Sequence, residues 1–328
     1  MGTNPLDRRG FLRAVAGGAA VVGTSAAGMT ALAVPAQANA RLFPPGRIGI
    51  QLWTVRNAVQ QIGFRRVFER LAKLGFTEVE PFTYDQTQQG LPPVTVAEIK
   101  QALDDNGLRA VGVHRGMGRW RDHLEEELDA AEILGVRYVG TADPPEGWGG
   151  ATPSTVDIYR RAADEFNEVG RRVATRGLRF FQHNHEREFR YAADQPDTVL
   201  FDVFLAHTDP RLVYLQLDLF HAYEGLGLDG NPADLVDYVL ADPRRYPTFH
   251  VKDGQRDPDT GLWGPQTPYG EGDVPMREFF SALRGKNYHA IWEQGNAEYH
   301  DDGRVDIELG FARAARSVRR MQAERRLR

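Results

Sequence analysis

The run VDIYRRAADEFNEVGRRVATRGLRFFQHNH, residues 156–185, decides the fold class. Its first twenty residues place Ala162, Phe166, Val169 and Val173 on one face at helical spacing, with arginines and acids on the other. Arg176-Gly177-Leu178 ends that helix, because glycine takes the left-handed C-cap conformation at no steric cost, and a β-rich run, Arg179–His183, follows at once. The same passage from helix through glycine to strand recurs at Leu74-Gly75-Phe76, Asn106-Gly107-Leu108 and Leu134-Gly135-Val136. Outward from it, the alternation can be counted eight times. The strands are expected at Ile48–Trp53, Glu78–Phe82, Ala110–His114, Tyr138–Thr141, Arg179–His183, Val213–Leu219, Thr248–Val251 and Ala290–Glu293. Helical periods lie over Phe64–Leu74, Val96–Leu103, His123–Leu134, Val156–Thr175, Val199–Leu205, Ala233–Leu240, Met276–Leu283 and Ile307–Met321. Repeated units of this kind imply parallel strands joined by right-handed crossovers, and eight of them predict a single (β/α)8 TIM barrel. A doubly wound open sheet lacks support, since no strand is followed by a Gly-x-Gly-x-x-Gly turn. The irregular stretches Tyr84–Pro93, Asp143–Pro153 and Asp253–Pro275 each follow a strand, which in a barrel is the catalytic face; the last is long enough for a lid or rim.

Composition narrows the function classes. The 328 residues carry 40 basic and 45 acidic side chains, a net charge of −5, with 41% hydrophobic and 10% aromatic residues, enough for a large core. The acidic balance argues against a nucleic-acid partner, which would call for a basic surface. The absence of cysteine excludes disulfides, thiolate zinc sites, iron–sulfur clusters and a cysteine nucleophile, so any metal must be held by His, Asp and Glu.

The first forty residues read as an address. Asp7-Arg8-Arg9-Gly10-Phe11-Leu12-Arg13 precedes an Ala/Gly-rich apolar run, Ala14 to Val34, and Ala36-Gln37-Ala38-Asn39-Ala40 ends in a small-x-small cleavage pattern. The paired arginines followed by Phe-Leu resemble a twin-arginine export signal. Residues 1–40 are therefore expected to be a signal peptide that engages the twin-arginine machinery, and 41–328 an exported barrel, periplasmic or extracellular. Cleavage removes three arginines and one aspartate, which leaves 288 residues at −7. The leader is too weakly hydrophobic for a permanent span, so no stable membrane anchor is expected.

Ionisable residues gather at the C-terminal ends of the strands: Glu80 on the second, His114 on the third, His183 and His185 at the fifth, Asp218 on the sixth, His250 on the seventh and Glu293 on the eighth. Such groups are costly to bury unpaired, and in a barrel these ends converge on one mouth. Strands five to eight would present His183, Asp218, His250 and Glu293 around one point, a mixed nitrogen and oxygen set suited to Mn, Zn, Fe or Co rather than Ca.

These residues carry a resemblance. Ile48-Gly49-Ile50-Gln51-Leu52-Trp53, His183-Asn184-His185-Glu186-Arg187-Glu188-Phe189, Leu217-Asp218-Leu219, Phe249-His250-Val251-Lys252-Asp253, Tyr269-Gly270-Glu271-Gly272-Asp273-Val274 and Trp292-Glu293-Gln294 resemble, in order and across residues 47–310, the sugar phosphate isomerase/epimerase family with its xylose isomerase-like barrel. The resemblance implies a divalent cation, Mn, Zn or Co, held by Glu, Asp, His and Glu on strands five to eight. Asp218, His250 and Glu293 match the last three, while His183 stands where the family has Glu. Because the strand-five and strand-eight carboxylates are usually the two bases, a change there shifts proton transfer to Glu293 with His183, or with Glu186 or Glu188 just beyond it.

Such a site suits removal of a proton α to a carbonyl. The expected activity is isomerisation or epimerisation of a small carbohydrate. Glu293, His183 and Glu188 are the catalytic candidates, and Trp53, Glu80, His114, His185, His221 and Lys252 are expected to meet substrate. Lys252 could aid an anionic intermediate or form a surface salt bridge. Export and the lack of a Gly-rich phosphate cradle favour an unphosphorylated sugar, keto-sugar or glycoside. The rivals are a lyase or dehydratase on the same substrates, a non-catalytic carbohydrate-binding barrel, a metal-dependent glycoside hydrolase, and an endonuclease-IV-like repair enzyme, which charge and export disfavour.

Overall fold

A computed structural model describes residues 40–143, 154–226, 232–283 and 287–327. All but the last residue of the signal expected over 1–40 and most of the stretch 143–153 lie outside the described residues. The strands are β1 (Ile48–Gln51), β2 (Glu78–Glu80), β3 (Arg109–Ala110), β4 (Gly112–His114), β5 (Tyr138–Thr141), β6 (Arg179–His183), β7 (Val213–Asp218), β8 (Thr248–Val251), β9 (Asp253–Arg256), β10 (Trp263–Thr267) and β11 (His289–Trp292). Nine of them form one parallel sheet in the order β3-β2-β1-β11-β8-β7-β6-β5-β4. The two ends of that order, β3 and β4, are halves of one run interrupted at Val111, so the sheet comes round on itself. Val111 N–H still donates to the Val79 carbonyl (3.0 Å), and His114 N–H to that of Pro81 (2.9 Å). The third predicted strand thus exists but is split where it changes partner from β2 to β5.

The helices that cover the outside begin and end where local chemistry says they should. Thr95 and Glu98 form a reciprocal capping box at Val96–Asp105, and Thr155 accepts the Ile158 N–H at the start of Val156–Ala174. Gly75, Gly107, Gly135 and Gly177 all take positive φ just before a strand, as the sequence required. Outward residues of the strands pack on the helices; Phe249, for instance, meets Phe279, Phe280 and Tyr288 edge to face. Two short helices, Met117–Asp122 and Leu219–Leu226, were not anticipated. The first spans less than two turns, and the second runs on directly from β7, so neither shows a separate period.

The long stretch after the seventh strand is an antiparallel hairpin, β9 with β10, rather than an irregular lid. Trp263 packs against Phe220 and Tyr223, and Gln266 binds the Gly295 N–H (2.6 Å) beyond β11. Asp253, at the hairpin's base, accepts N–H groups from Gly254 (2.9 Å), Gly270 (2.9 Å), Gly272 (3.1 Å) and Val274 (3.3 Å). A Cβ on Gly272 would fall 2.3 Å from the Asp253 carboxylate, so only glycine lets the backbone wrap it. Asp253→Ala is expected to cost about 2 kcal/mol, because buried N–H groups lose their acceptor. Denaturant unfolding measures the loss, and faster exchange of the Gly270 and Gly272 amides would locate it.

Candidate active site

Strand alternation builds the site. Thr248, His250 and Lys252 project from one face of the seventh stave, and Gln216 and Asp218 from one face of the sixth. In the parallel register Asp218 lies beside His250, His183 beside Gln216, and Gln51 beside Glu80. The inward residues at the C-terminal ends therefore form a polar layer at the mouth of the barrel. Close approach is needed elsewhere too: a Cβ on Gly112 would stand 3.0 Å from a Glu80 oxygen.

Glu80, fully buried, is the floor of that layer. Its Oε2 accepts from Gln51 Nε2 (3.0 Å) and His250 Nε2 (2.7 Å), with His114 Nε2 at 3.2 Å, and its Oε1 accepts from Gln216 Nε2 (2.8 Å). Burial would raise its carboxyl, but His114 and His250 overcome that and hold it well below the usual carboxylate range. His250 also donates from Nδ1 to Glu293 Oε2 (2.7 Å). With an acceptor-only carboxylate on each ring nitrogen, the ring carries both protons. Burial pulls its pKa down, but Glu293 and Glu80 win, and it rises to about 9.

Gln216 sets a second tautomer. Its amide nitrogen is committed to Glu80, so its oxygen accepts from His114 Nε2 (2.6 Å) and from His183 Nδ1 (2.9 Å). His183 Nε2 is then a bare lone pair, 4.0 Å from Asp218 Oδ2. Burial and the neighbouring His250 keep His183 far below the usual imidazole range, hence neutral. His185 is likewise pushed down to about 3 by burial and by His221.

His183, Asp218, His250 and Glu293 offer ligand atoms that all lie within 4.8 Å of one another, every one of them buried. Two imidazole nitrogens and two carboxylates from four successive staves fit a divalent cation, which would take the place of the proton on His250 Nδ1, with Glu80 as the outer carboxylate that orients the ring through Nε2. The cluster is thus a candidate divalent-metal site, and these are the four residues the sequence pointed to.

A cavity of about 480 Å³ opens above it, lined by Gln51, Trp53, Phe82, His114, Arg115, Gly116, Ala142, Asp143, His183, His185 and Glu293. A larger cleft of about 650 Å³ lies at the other end of the barrel among Arg179, Tyr214, Arg244 and Tyr246, and has none of the cluster's donors on its wall. Trp53, His114 and His185, expected to meet substrate, line the upper cavity. Three others do not. Glu80 lies beneath His250. His221, on the helix after β7, bonds Glu224 (3.0 Å) at the periphery. Lys252 is neither on the cavity wall nor in a surface salt bridge: it is buried, its Nζ 2.9 Å from Asp218 Oδ2 and 3.2 Å from Glu293 Oε2. Glu188 is buried as a strut, accepting from Gln182 Nε2 (3.1 Å) and the His185 N–H (3.0 Å). Gln51 and Gln216 were missed, although single polar residues at inward positions of apolar strands were the available signal.

A family model described as a xylose isomerase-like TIM barrel matches residues 68–320. Among curated proteins none matches the chain. Among solved structures, a sugar phosphate isomerase/epimerase from Parabacteroides distasonis ATCC 8503 is 22% identical, with 88% of this chain and 98% of that one covered and a TM-score of 0.64. The IOLI protein with a bound zinc atom is 14% identical, over 84% and 98%, at 0.62. D-psicose 3-epimerase from Clostridium cellulolyticum H10, solved with D-tagatose, is 15% identical, over 85% and 99%, at 0.57. At these identities the likeness establishes the fold.

Proposed function

The chain belongs to the xylose isomerase-like TIM barrel family, and on that premise we propose that it is an exported, metal-dependent isomerase or epimerase. It would act on an unphosphorylated sugar, keto-sugar or glycoside by moving a proton α to a carbonyl. The observation that carries the reading is the buried set of His183, Asp218, His250 and Glu293 beneath an open, aromatic-walled cavity. A zinc-bound structural neighbour and another solved with a ketohexose support it. Export rests on the twin-arginine pattern of residues 7–13.

When bound, a divalent cation would supply a Lewis acid for the substrate's carbonyl and adjacent hydroxyl. The chain's own groups do the rest. Glu293, on the cavity wall, commits Oε2 to His250 and Lys252, which leaves Oε1 as the oxygen to take the proton. Neutral His185 on the cavity wall can donate its ring N–H to a substrate oxygen, while Glu188, tied to Gln182 and the His185 N–H, cannot take a proton without leaving its place. Arg115, the one arginine on the wall among the described residues, is engaged by Glu127 (2.9 Å) and the Phe82 carbonyl (3.0 Å). With Nε and Nη1 so engaged, only Nη2 is left for an anion, which favours an unphosphorylated substrate.

The reading is tested by adding Mn, Zn or Co to metal-stripped protein with ketoses and keto-glycosides in deuterated water. Metal-dependent deuterium uptake at the carbon beside the carbonyl is expected; none across the panel would overturn it. Trp53 is 43% exposed at the rim, edge-on to Phe82 with ring centroids 5.0 Å apart. Trp53→Ala is expected to raise KM by about tenfold with little change in kcat, since an apolar face for a sugar ring is binding energy shared by ground and transition states. Steady-state kinetics separate the two constants.

A further inference from the structure

Lys252 sits at the cluster but off the cavity wall, and it takes no part in the proposed proton transfer. Its ammonium is buried and bridges Asp218 Oδ2 and Glu293 Oε2 at 2.9 and 3.2 Å. Those oxygens also face the other two donors: Asp218 Oδ2 lies 3.9 Å from His250 Nδ1 and 4.0 Å from His183 Nε2, and Glu293 Oε2 lies 2.7 Å from His250 Nδ1. The chain carries only four lysines among its 40 basic residues, so a lysine here is a departure from its own habit. The difference is physical. An ammonium is a compact charge on a flexible stem that can withdraw, whereas a guanidinium is a rigid fork.

We propose that Lys252 is a built-in counter-cation that shares its two carboxylate oxygens with the divalent ion, so that the barrel is stable without metal and holds metal less tightly than its four donors would alone. This rests on the metal reading above. Three carboxylates, Glu80, Asp218 and Glu293, are buried together, and each already faces a cation: His250 for Glu80 and Glu293, Lys252 for Asp218 and Glu293. A divalent ion entering among the donors meets the ammonium within a few ångströms, where like charges repel strongly in a poorly solvated interior. Metal binding must move Lys252 aside or tolerate it, and either way affinity falls. Without Lys252, Asp218 has no cation at bonding distance, and the divalent ion becomes the only replacement.

The test uses the full mature chain, stripped of metal, as wild type, Lys252→Met and Lys252→Gln, with Mn and Co as probes. Calorimetry should show both variants binding at least about tenfold tighter than wild type. Their melting temperatures without metal should lie below wild type and recover in excess ion, while the wild-type value moves little. Equal or weaker binding by both variants overturns the proposal and leaves the metal site standing. Variants that stay unfolded in excess Mn or Co also overturn it, because a divalent ion must be able to stand in for the ammonium. If wild type and both variants take up no ion at all, the metal reading itself fails and this inference with it.

Discussion

Glu293→Gln is expected to lower metal-dependent deuterium uptake by about a thousandfold or more, the range in which loss of a positioned general base falls. The amide keeps the shape of the side chain but has no basic oxygen to face the cavity. The fold should survive, because each cation that Glu293 engages has a second partner: His250 keeps Glu80 at 2.7 Å and Lys252 keeps Asp218 at 2.9 Å. Metal affinity should fall as well, since one anionic donor is lost, so the rate is to be compared at saturating Mn or Co. Circular dichroism and thermal melting check the fold alongside. Uptake within tenfold of wild type would remove Glu293 from the chemistry and pass the proton to another titratable group on the cavity wall, His114, Asp143, His183 or His185.

The barrel and the candidate metal cluster were legible in the sequence for one reason: both depend on period. Tyr138–Thr141, Arg179–His183 and Thr248–Val251 were read to the residue, because a short apolar run bounded by a glycine-capped helix, or in the last case by Pro247, leaves little room for another boundary. The four side chains of the cluster were legible because each lies at or beside the end of such a run. What was not legible depends on contacts across the barrel. Glu80 ends a strand like the others, yet it lies on the floor because His250, Gln216 and Gln51 reach it from three other staves. Lys252 shares a face with His250 by alternation, but only the neighbouring staves reveal that Asp218 and Glu293 draw it inward. The β9–β10 hairpin carries Gly, Pro and Asp as a loop would, and its pairing is held by Asp253 and Gln266, whose partners lie well downstream.

Replacing Glu80 by glutamine should produce the largest change in stability, and its sign depends on pH. In the metal-free wild type, His250 is raised from an ordinary 6.5 to about 9, so folding is favoured by its protonation. That contribution is fully present below pH 6.5 and is lost as pH climbs through 9; a rise of this size corresponds to about 3 kcal/mol. Glu80→Gln removes one of the two carboxylates responsible and leaves the buried imidazolium with Glu293 alone. Breaking a buried pair from one side costs about 3–5 kcal/mol, so the variant should be less stable by about that amount at pH 6.5, with the gap narrowing toward pH 9 as the wild type gives up its own advantage. Metal affinity should fall by about ten- to a hundredfold, because Glu80 is the carboxylate that orients His250 behind the donor set. Urea unfolding at several pH values, with and without Mn, measures both effects. A wild-type stability that stays flat between pH 6.5 and 9 would mean that His250 is neutral in the folded protein. Glu80 would then act on the site through position and not through charge.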